Sequence, residues 1–229
     1  MTYQELSKEF NINIKQVDKF LNCLLETNKK MNLTAIVDKE EMISKHIYDS
    51  LLISKAYDFK NKTILDVGSG GGFPGIPLAM LYPTSHFVLI DSTMKKVKYL
   101  QEVAKFLNLT NVEVKCARVE ELNENEKYDV VIARALAELR IYLELVAYLC
   151  KVKGDIIALK GKNASEELRA SENAIKKLNL STHVEICVSK LNKTSHCIKL
   201  LTYSKSIILS SRKPSIPQLI CPYWESYND

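Results

Sequence analysis

The sequence predicts a doubly wound α/β domain. Three observations predict it: short apolar runs alternating with helical stretches, a change of hydrophobic period after Lys62, and a glycine cluster closing the first apolar run. The apolar runs at residues 63–67 (TILDV), 86–90 (HFVLI), 112–116, 128–133 (YDVVIA) and 155–160 (DIIALK) read as five strands. Helical patterns at 76–81, 95–107, 139–149 and 166–178 separate or follow them. Strands that alternate with helices imply a parallel sheet covered on both faces.

Residues 1–60 carry helical periodicity instead. Phe20, Leu21, Leu24 and Leu25 share one face of a helix expected over 15–29. Asp38, followed three residues later by Glu41, suits the cap of a helix that carries Ile43, Ile47, Leu51 and Leu52. At the other end, residues 183–191 and 196–203 flank the turn-like Asn192-Lys193-Thr194 and read as an antiparallel pair closing the sheet edge. The expected organisation is an N-terminal helical extension over 1–60 packed on the core, an α/β domain over 61–205, and an irregular, proline-bearing tail over 206–229.

The composition is that of a soluble globular protein, with 46% hydrophobic and 26% charged residues. The net charge of +5 is concentrated: residues 151–229 carry +6, while the first 150 sum to −1. A basic end suits a polyanion such as nucleic acid, and a solubilising lysine-rich surface explains it equally well. None of the six cysteines forms a C-x-x-C pair, and most sit in apolar runs, so buried, reduced thiols are expected rather than a zinc cage or disulfides. The polar, amphipathic start does not read as a signal peptide, and no apolar run reaches the roughly 18 residues of a spanning helix. The expectation is a soluble cytoplasmic protein without a membrane partner or a metal.

Five of the seven glycines fall within eight positions: Gly68, Gly70, Gly71, Gly72 and Gly75. The cluster follows a predicted strand and precedes a predicted helix, with Pro74 and Pro77 suited to a first turn. Such a loop lets backbone approach a ligand closely and aims helix N–H groups at it. Gly70-x-Gly72-x-x-Gly75 matches the dinucleotide fingerprint, which alone is a weak signal. Asp91 ends the next run, where a carboxylate can accept from both ribose hydroxyls of a nucleoside. NAD and S-adenosylmethionine both satisfy that. Asp66 helps to separate them, because a carboxylate near the cofactor head repels pyrophosphate but tolerates an ammonium and a sulfonium. A plain turn-forming role for Asp66 is the simpler alternative.

Several motifs resemble the glucose-inhibited division protein B family. They are Asn32-Leu33-Thr34-Ala35, His46-x-x-Asp49-Ser50-Leu51, the run Asp66-Val67-Gly68-Ser69-Gly70-Gly71-Gly72-Phe73-Pro74-Gly75-Ile76-Pro77-Leu78-Ala79, Asp91-Ser92, Arg118-Val119-Glu120-Glu121, Tyr128-Asp129-x-x-x-x-Ala133-Arg134-Ala135 and Leu159-Lys160-Gly161. They occur in the family's order between about Cys23 and Tyr203. The resemblance implies a Rossmann-like class I methyltransferase sheet, parallel with an antiparallel closing strand, plus N-terminal helices. It implies methylation of guanine N7 in 16S ribosomal RNA, with the 30S subunit as the expected partner and S-adenosylmethionine as cofactor. Cofactor contacts carried over by resemblance are Gly68, Phe73, Val119, Glu120 and Arg134, with Asp91 on the ribose; the loop itself adds Asp66 and Gly70 as cofactor-side candidates. Thr27 replaces the family's aromatic residue before Asn28, and the tail Arg212-Lys213-Pro214-Ser215-Ile216-Pro217-Gln218-Leu219 departs from its usual basic pattern.

The absences agree with an N7 target. The chain has no Pro-Pro pair, which exocyclic amine methylation commonly uses, and no proline before a cysteine, which C5 methylation of pyrimidines usually needs. Guanine N7 already has a lone pair and no proton to lose, so proximity and orientation suffice and no general acid or base is nominated. Arg134, Lys160 and His46 are the candidates for positioning substrate. Lys95, Lys96 and Lys98 could meet RNA phosphates, and Tyr223 and Trp224 could stack on a base. Two other readings remain: a small-molecule methyltransferase, and a non-catalytic RNA-binding assembly factor on the same fold. A monomer is expected.

Overall fold

A computed structural model describes residues 1–161, 163–188 and 194–202. Its strands are β1 (Thr63–Val67), β2 (His86–Asp91), β3 (Val112–Cys116), β4 (Tyr128–Arg134), β5 (Cys150–Lys160), β6 (Leu180–Val188) and β7 (Thr194–Thr202). They form one sheet in the order β3-β2-β1-β4-β5-β7-β6. The first five run parallel, and β7 runs antiparallel to both β5 and β6. The order reverses direction between β1 and β4, and an open α/β sheet leaves a crevice at the carboxyl ends of the strands at such a point.

The centre of the sheet is buried on both faces because β1, β2, β4 and the second half of β5 carry apolar side chains on both sides. Ile64, Phe87, Leu89, Val130 and Ile132 join the core on one side, while Leu65, Val88, Ile90, Val131 and Ala133 join the core on the other. The first side is covered by α1 (Tyr3–Phe10), α2 (Ile14–Asn28), α5 (Gly75–Leu81), α6 (Met94–Phe106) and a rod of α3 (Lys39–Met42), a π-helical turn (Ile43–Tyr48) and α4 (Asp49–Ala56). The second is covered chiefly by α7 (Leu139–Val146) and α9 (Glu172–Lys177), with α8 (Ala164–Ala170) alongside. Phe20, Leu21, Leu24, Ile47 and Leu51 are fully buried. At about 1.5–3 kcal/mol for each large apolar side chain, they fasten the N-terminal helices to the sheet.

Local chemistry sets the boundaries. Asp38 caps α3 by accepting from the Glu41 N–H (2.7 Å), as its spacing predicted. Thr2 and Glu5 form a capping box that starts α1, a helix beyond those expected from the apolar periodicity. The predicted helix over 166–178 is instead α8 and α9, broken at Ser171, whose hydroxyl donates to the Glu167 carbonyl (2.7 Å). The helix predicted over 139–149 ends at Val146 and tightens to a 3₁₀ turn over Ala147–Leu149. Strand β5 starts at Cys150 rather than at 155, with a register shift opposite Tyr128 and Val130. The closing pair lies earlier than predicted, at β6 and β7, and the tail from 203 with Tyr223 and Trp224 lies outside the described residues.

The expectation of buried thiols holds only in part: Cys150 is buried, Cys23 half-buried and Cys116 exposed. Cys116 ends β3, the edge strand, where only part of each side chain meets the core. Among the described residues, no helix is long and apolar enough to cross a membrane.

Candidate active site

The glycine loop turns back under the end of β2. The N–H groups of Gly68 and Ser69 both donate to the Ile90 carbonyl (2.9 and 3.0 Å). The Asp91 carboxylate then faces the loop, with Oδ2 accepting from the Gly70 N–H (3.1 Å) and Oδ1 from the Thr93 N–H (2.9 Å). These bonds orient Asp91 and leave each oxygen a further lone pair for an outside donor. A side chain at Gly70 would find no atom nearer than 3.8 Å, so open space lies over the loop beside that carboxylate.

Asp66 points the other way. It is fully buried, and its Oδ2 accepts from the N–H of Gly75, the first residue of α5 (3.1 Å). The sequence reading set this carboxylate beside a ligand; the structure sets it beneath the loop, as the helix cap. Its Oδ1 is buried without a hydrogen-bond partner. Burial pushes the Asp66 carboxyl up to about 7, and the Ser69 side chain, the Gly75 N–H and the charge of Arg134 draw it back only partly. Folding therefore takes up a proton here between the ordinary value of 3.8 and about 7. Asp66 then favours the folded state less as pH rises through that window. In Asp66→Asn this slope is absent. The stability of wild type relative to Asp66→Asn should be about 2–3 kcal/mol greater at pH 5 than at pH 8 by urea denaturation. A difference independent of pH would mean that Asp66 ionises normally.

Arg134, at the end of β4, gathers the other predicted residues. Its guanidinium lies 4.9 Å from the Phe73 ring centroid and 3.6 Å from Asp49 Oδ2. Phe73 is buried between Phe20 (5.2 Å between centroids) and His46 (4.7 Å, planes 32° apart). His46 Nε2 meets the Thr34 hydroxyl at 2.7 Å. Burial, with Arg134 nearby, lowers the His46 imidazole to about 4, so the ring is neutral at neutral pH. Thr34 is fixed in turn: Asn28 Oδ1 accepts from the Leu33 and Thr34 N–H groups (2.8 and 3.0 Å), and Asn28 Nδ2 donates to the Thr34 carbonyl (2.8 Å). The sequence reading assigned no role to Asn28, Thr34 or Asp49, although all three lie in or beside its motifs.

The remaining candidates spread along the same edge. Val119 is buried and Glu120 exposed on a 3₁₀ turn after β3, with the Val119 carbonyl accepting from the Tyr148 hydroxyl (2.7 Å). Lys160 ends β5, but its ammonium is held by Glu167 (2.7 Å) and donates to the Ala137 carbonyl. Lys95 and Lys98 are exposed at the start of α6, while Lys96 is half-buried.

The residues present fit S-adenosylmethionine. The loop leaves a cradle at Gly70, Asp91 keeps acceptor capacity beside it, and Arg134 supplies a cation for a carboxylate. The family model for rRNA small subunit methyltransferase G (GidB) matches residues 13–197. The chain belongs to that family. A ribosomal RNA small subunit methyltransferase G from Aster yellows witches'-broom phytoplasma is 42% identical over 184 residues, covering 78% of this chain and 87% of that one. The protein of the same name from Pseudothermotoga lettingae is 40% identical over 208 residues, covering 88% and 89%. In fold, the chain is similar to a SAM-dependent methyltransferase from Aquifex aeolicus (TM-score 0.57, 19% identity, 77% of this chain and 97% of that one). It is also similar to a SAM-dependent O-methyltransferase from Thermotoga maritima (TM-score 0.55, 15% identity, 80% and 72%). The methyltransferase G family thus accounts for the order of the motifs, and the Rossmann-like sheet accounts for where they meet.

Proposed function

We propose that the chain transfers a methyl group from S-adenosylmethionine to N7 of a guanine in 16S ribosomal RNA, acting in the cytoplasm as a monomer on the 30S subunit. The observation that carries this reading is the cleft at the β1–β4 reversal, where the glycine loop, Asp91 and Arg134 converge in a chain of the methyltransferase G family.

S-adenosylmethionine, when bound, supplies an electrophilic methyl group on a sulfonium. Asp91 accepts from the ribose hydroxyls with the lone pairs that Gly70 and Thr93 leave. Gly68 and Gly70 let backbone approach the cofactor, Val119 gives an apolar wall to its base, and Glu120 lies beside that wall. Arg134 pairs with the cofactor carboxylate. Phe73 supports the guanidinium from below. Guanine N7 would take the methyl group as its bond to sulfur breaks, leaving a neutral thioether and a positively charged base, and no proton would have to leave. The chain's task is therefore orientation at about 3 Å, and neutral His46 contributes shape rather than a proton. His46 and Lys160 position the substrate side of the cleft, and the exposed Lys95 and Lys98 meet RNA phosphates.

The test is label transfer from S-adenosylmethionine to three acceptors: 30S subunits lacking the modification, deproteinised 16S RNA and free guanosine. Transfer to 30S subunits above the other two is expected. Preferential labelling of guanosine would favour a small-molecule enzyme. Cofactor binding with no transfer to any acceptor would favour a non-catalytic assembly factor.

A further inference from the structure

We infer that Asp49 is a positioning residue: through Arg134 it sets the cofactor-binding geometry of the sheet from the N-terminal helical rod. The inference rests on the function proposed above. Arg134 grows from the end of β4, with only 19% of its side chain exposed. Its guanidinium could swing about four side-chain torsions, and burial disfavours its charge. Three groups restrain it. The Phe73 ring offers a π face at 4.9 Å, Asp49 Oδ2 lies 3.6 Å from Nη1, and Asp66 attracts it from beneath the loop when its raised carboxyl is ionised. Phe73 and Asp66 belong to the sheet and its loop. Asp49 alone comes from outside, from the residue that follows the π-helical turn Ile43–Tyr48.

The π turn makes this reach possible. Turns of that kind interrupt the regular α-helical ladder and re-aim the side chains around them. Here one side of the rod sends His46 onto the Phe73 ring and Asp49 onto Arg134, so both ends of the Phe73–Arg134 pair are held by one helix. The Ser50 hydroxyl donates to the His46 carbonyl inside this irregular turn (2.6 Å). The loop at Leu33–Thr34, pinned by Asn28, fixes the His46 ring from the far side. Ordering of the N-terminal helices is thereby communicated to the cation that receives the cofactor carboxylate.

Two roles for Asp49 predict opposite signs. An anion beside Arg134 competes with an incoming carboxylate, so its removal would tighten binding if charge were all that mattered. A positioning residue holds the fork in place, so its removal weakens binding although a competing charge has gone. Equilibrium Kd values for S-adenosylmethionine, by calorimetry on the full chain, decide between them for wild type, Asp49→Ala, Asp49→Asn, Arg134→Gln and the Asp49→Ala/Arg134→Gln double variant. Thermal midpoints of the same proteins report folding.

Asp49→Ala is expected to raise Kd about tenfold. Asp49→Asn keeps an acceptor oxygen in place and should recover most of that loss. The double variant should bind no more weakly than Arg134→Gln alone, because a group that acts only through Arg134 has nothing left to act on. Unchanged or tighter binding by Asp49→Ala, or losses that multiply in the double variant, would overturn the inference. No binding by folded wild type would overturn the functional reading beneath it instead.

Discussion

The Gly75→Ala variant is expected to lose about 2–6 kcal/mol of folding stability, much of what a domain of this size has. A methyl group at position 75 would lie 2.5 Å from Asp66 Oδ2 and 3.1 Å from Leu89 Cγ. Neither neighbour has room to move: Asp66 is fully buried in β1, and Leu89 is fully buried in the middle of β2. Pushing the carboxylate away also breaks the bond to the Gly75 N–H and leaves a buried acid with no partner on either oxygen. Gly70→Ala is the control in the same loop. It has a positive φ of 53°, costing about 1–2 kcal/mol, but its added methyl meets nothing nearer than 3.8 Å. Urea denaturation should therefore rank the two far apart, with Gly75→Ala the less stable. Equal stabilities would mean that Asp66 does not cap α5 as described.

The Arg134→Lys variant is expected to lose about tenfold to a hundredfold in kcat/KM, although it keeps the positive charge. The guanidinium does two things at once: it lies over the Phe73 ring and points a nitrogen at Asp49. An ammonium carries its three donors on one nitrogen and has no planar face, so it cannot lie on the ring, reach Asp49 and pair in a fork with a carboxylate at once. Arg134→Gln, which also removes the charge, should lose more. Steady-state kinetics at saturating RNA with S-adenosylmethionine varied would show the loss mainly as a raised KM for the cofactor. Activity within twofold of wild type in Arg134→Lys would mean that charge alone matters at this position.

Much of this arrangement could be read from the residues. The five parallel strands were legible because a sheet covered on both faces leaves near-continuous apolar runs such as Phe87–Ile90, and the glycine cluster marked the loop. The direction of Asp66 is legible too. Side chains alternate along β1, so Asp66 shares a face with Ile64 and with the core beneath α5. The Thr2–Glu5 capping box is a further local signal, marking the start of α1. The π turn at Ile43–Tyr48 had no signal of its own, since its sequence reads as ordinary helix. The pairing of Asp49 with Arg134 and of His46 with Thr34 and Phe73 joins distant parts of the chain. Single-sequence spacing carries no information about such contacts; only the folded sheet brings them together.

The central claim is that this cleft delivers a methyl group to one ring nitrogen of one class of base. The most direct measurement is to methylate 30S subunits lacking the modification with labelled S-adenosylmethionine, digest the 16S RNA to nucleosides, and identify the labelled nucleoside by chromatography and mass. The account predicts that the label appears as 7-methylguanosine at a stoichiometry of about one per 16S molecule, in keeping with a cleft that orients but removes no proton. Label on an exocyclic amine, a ring carbon or a ribose hydroxyl would contradict it, because each of those sites requires a proton to be removed that this cleft has no assigned group to take.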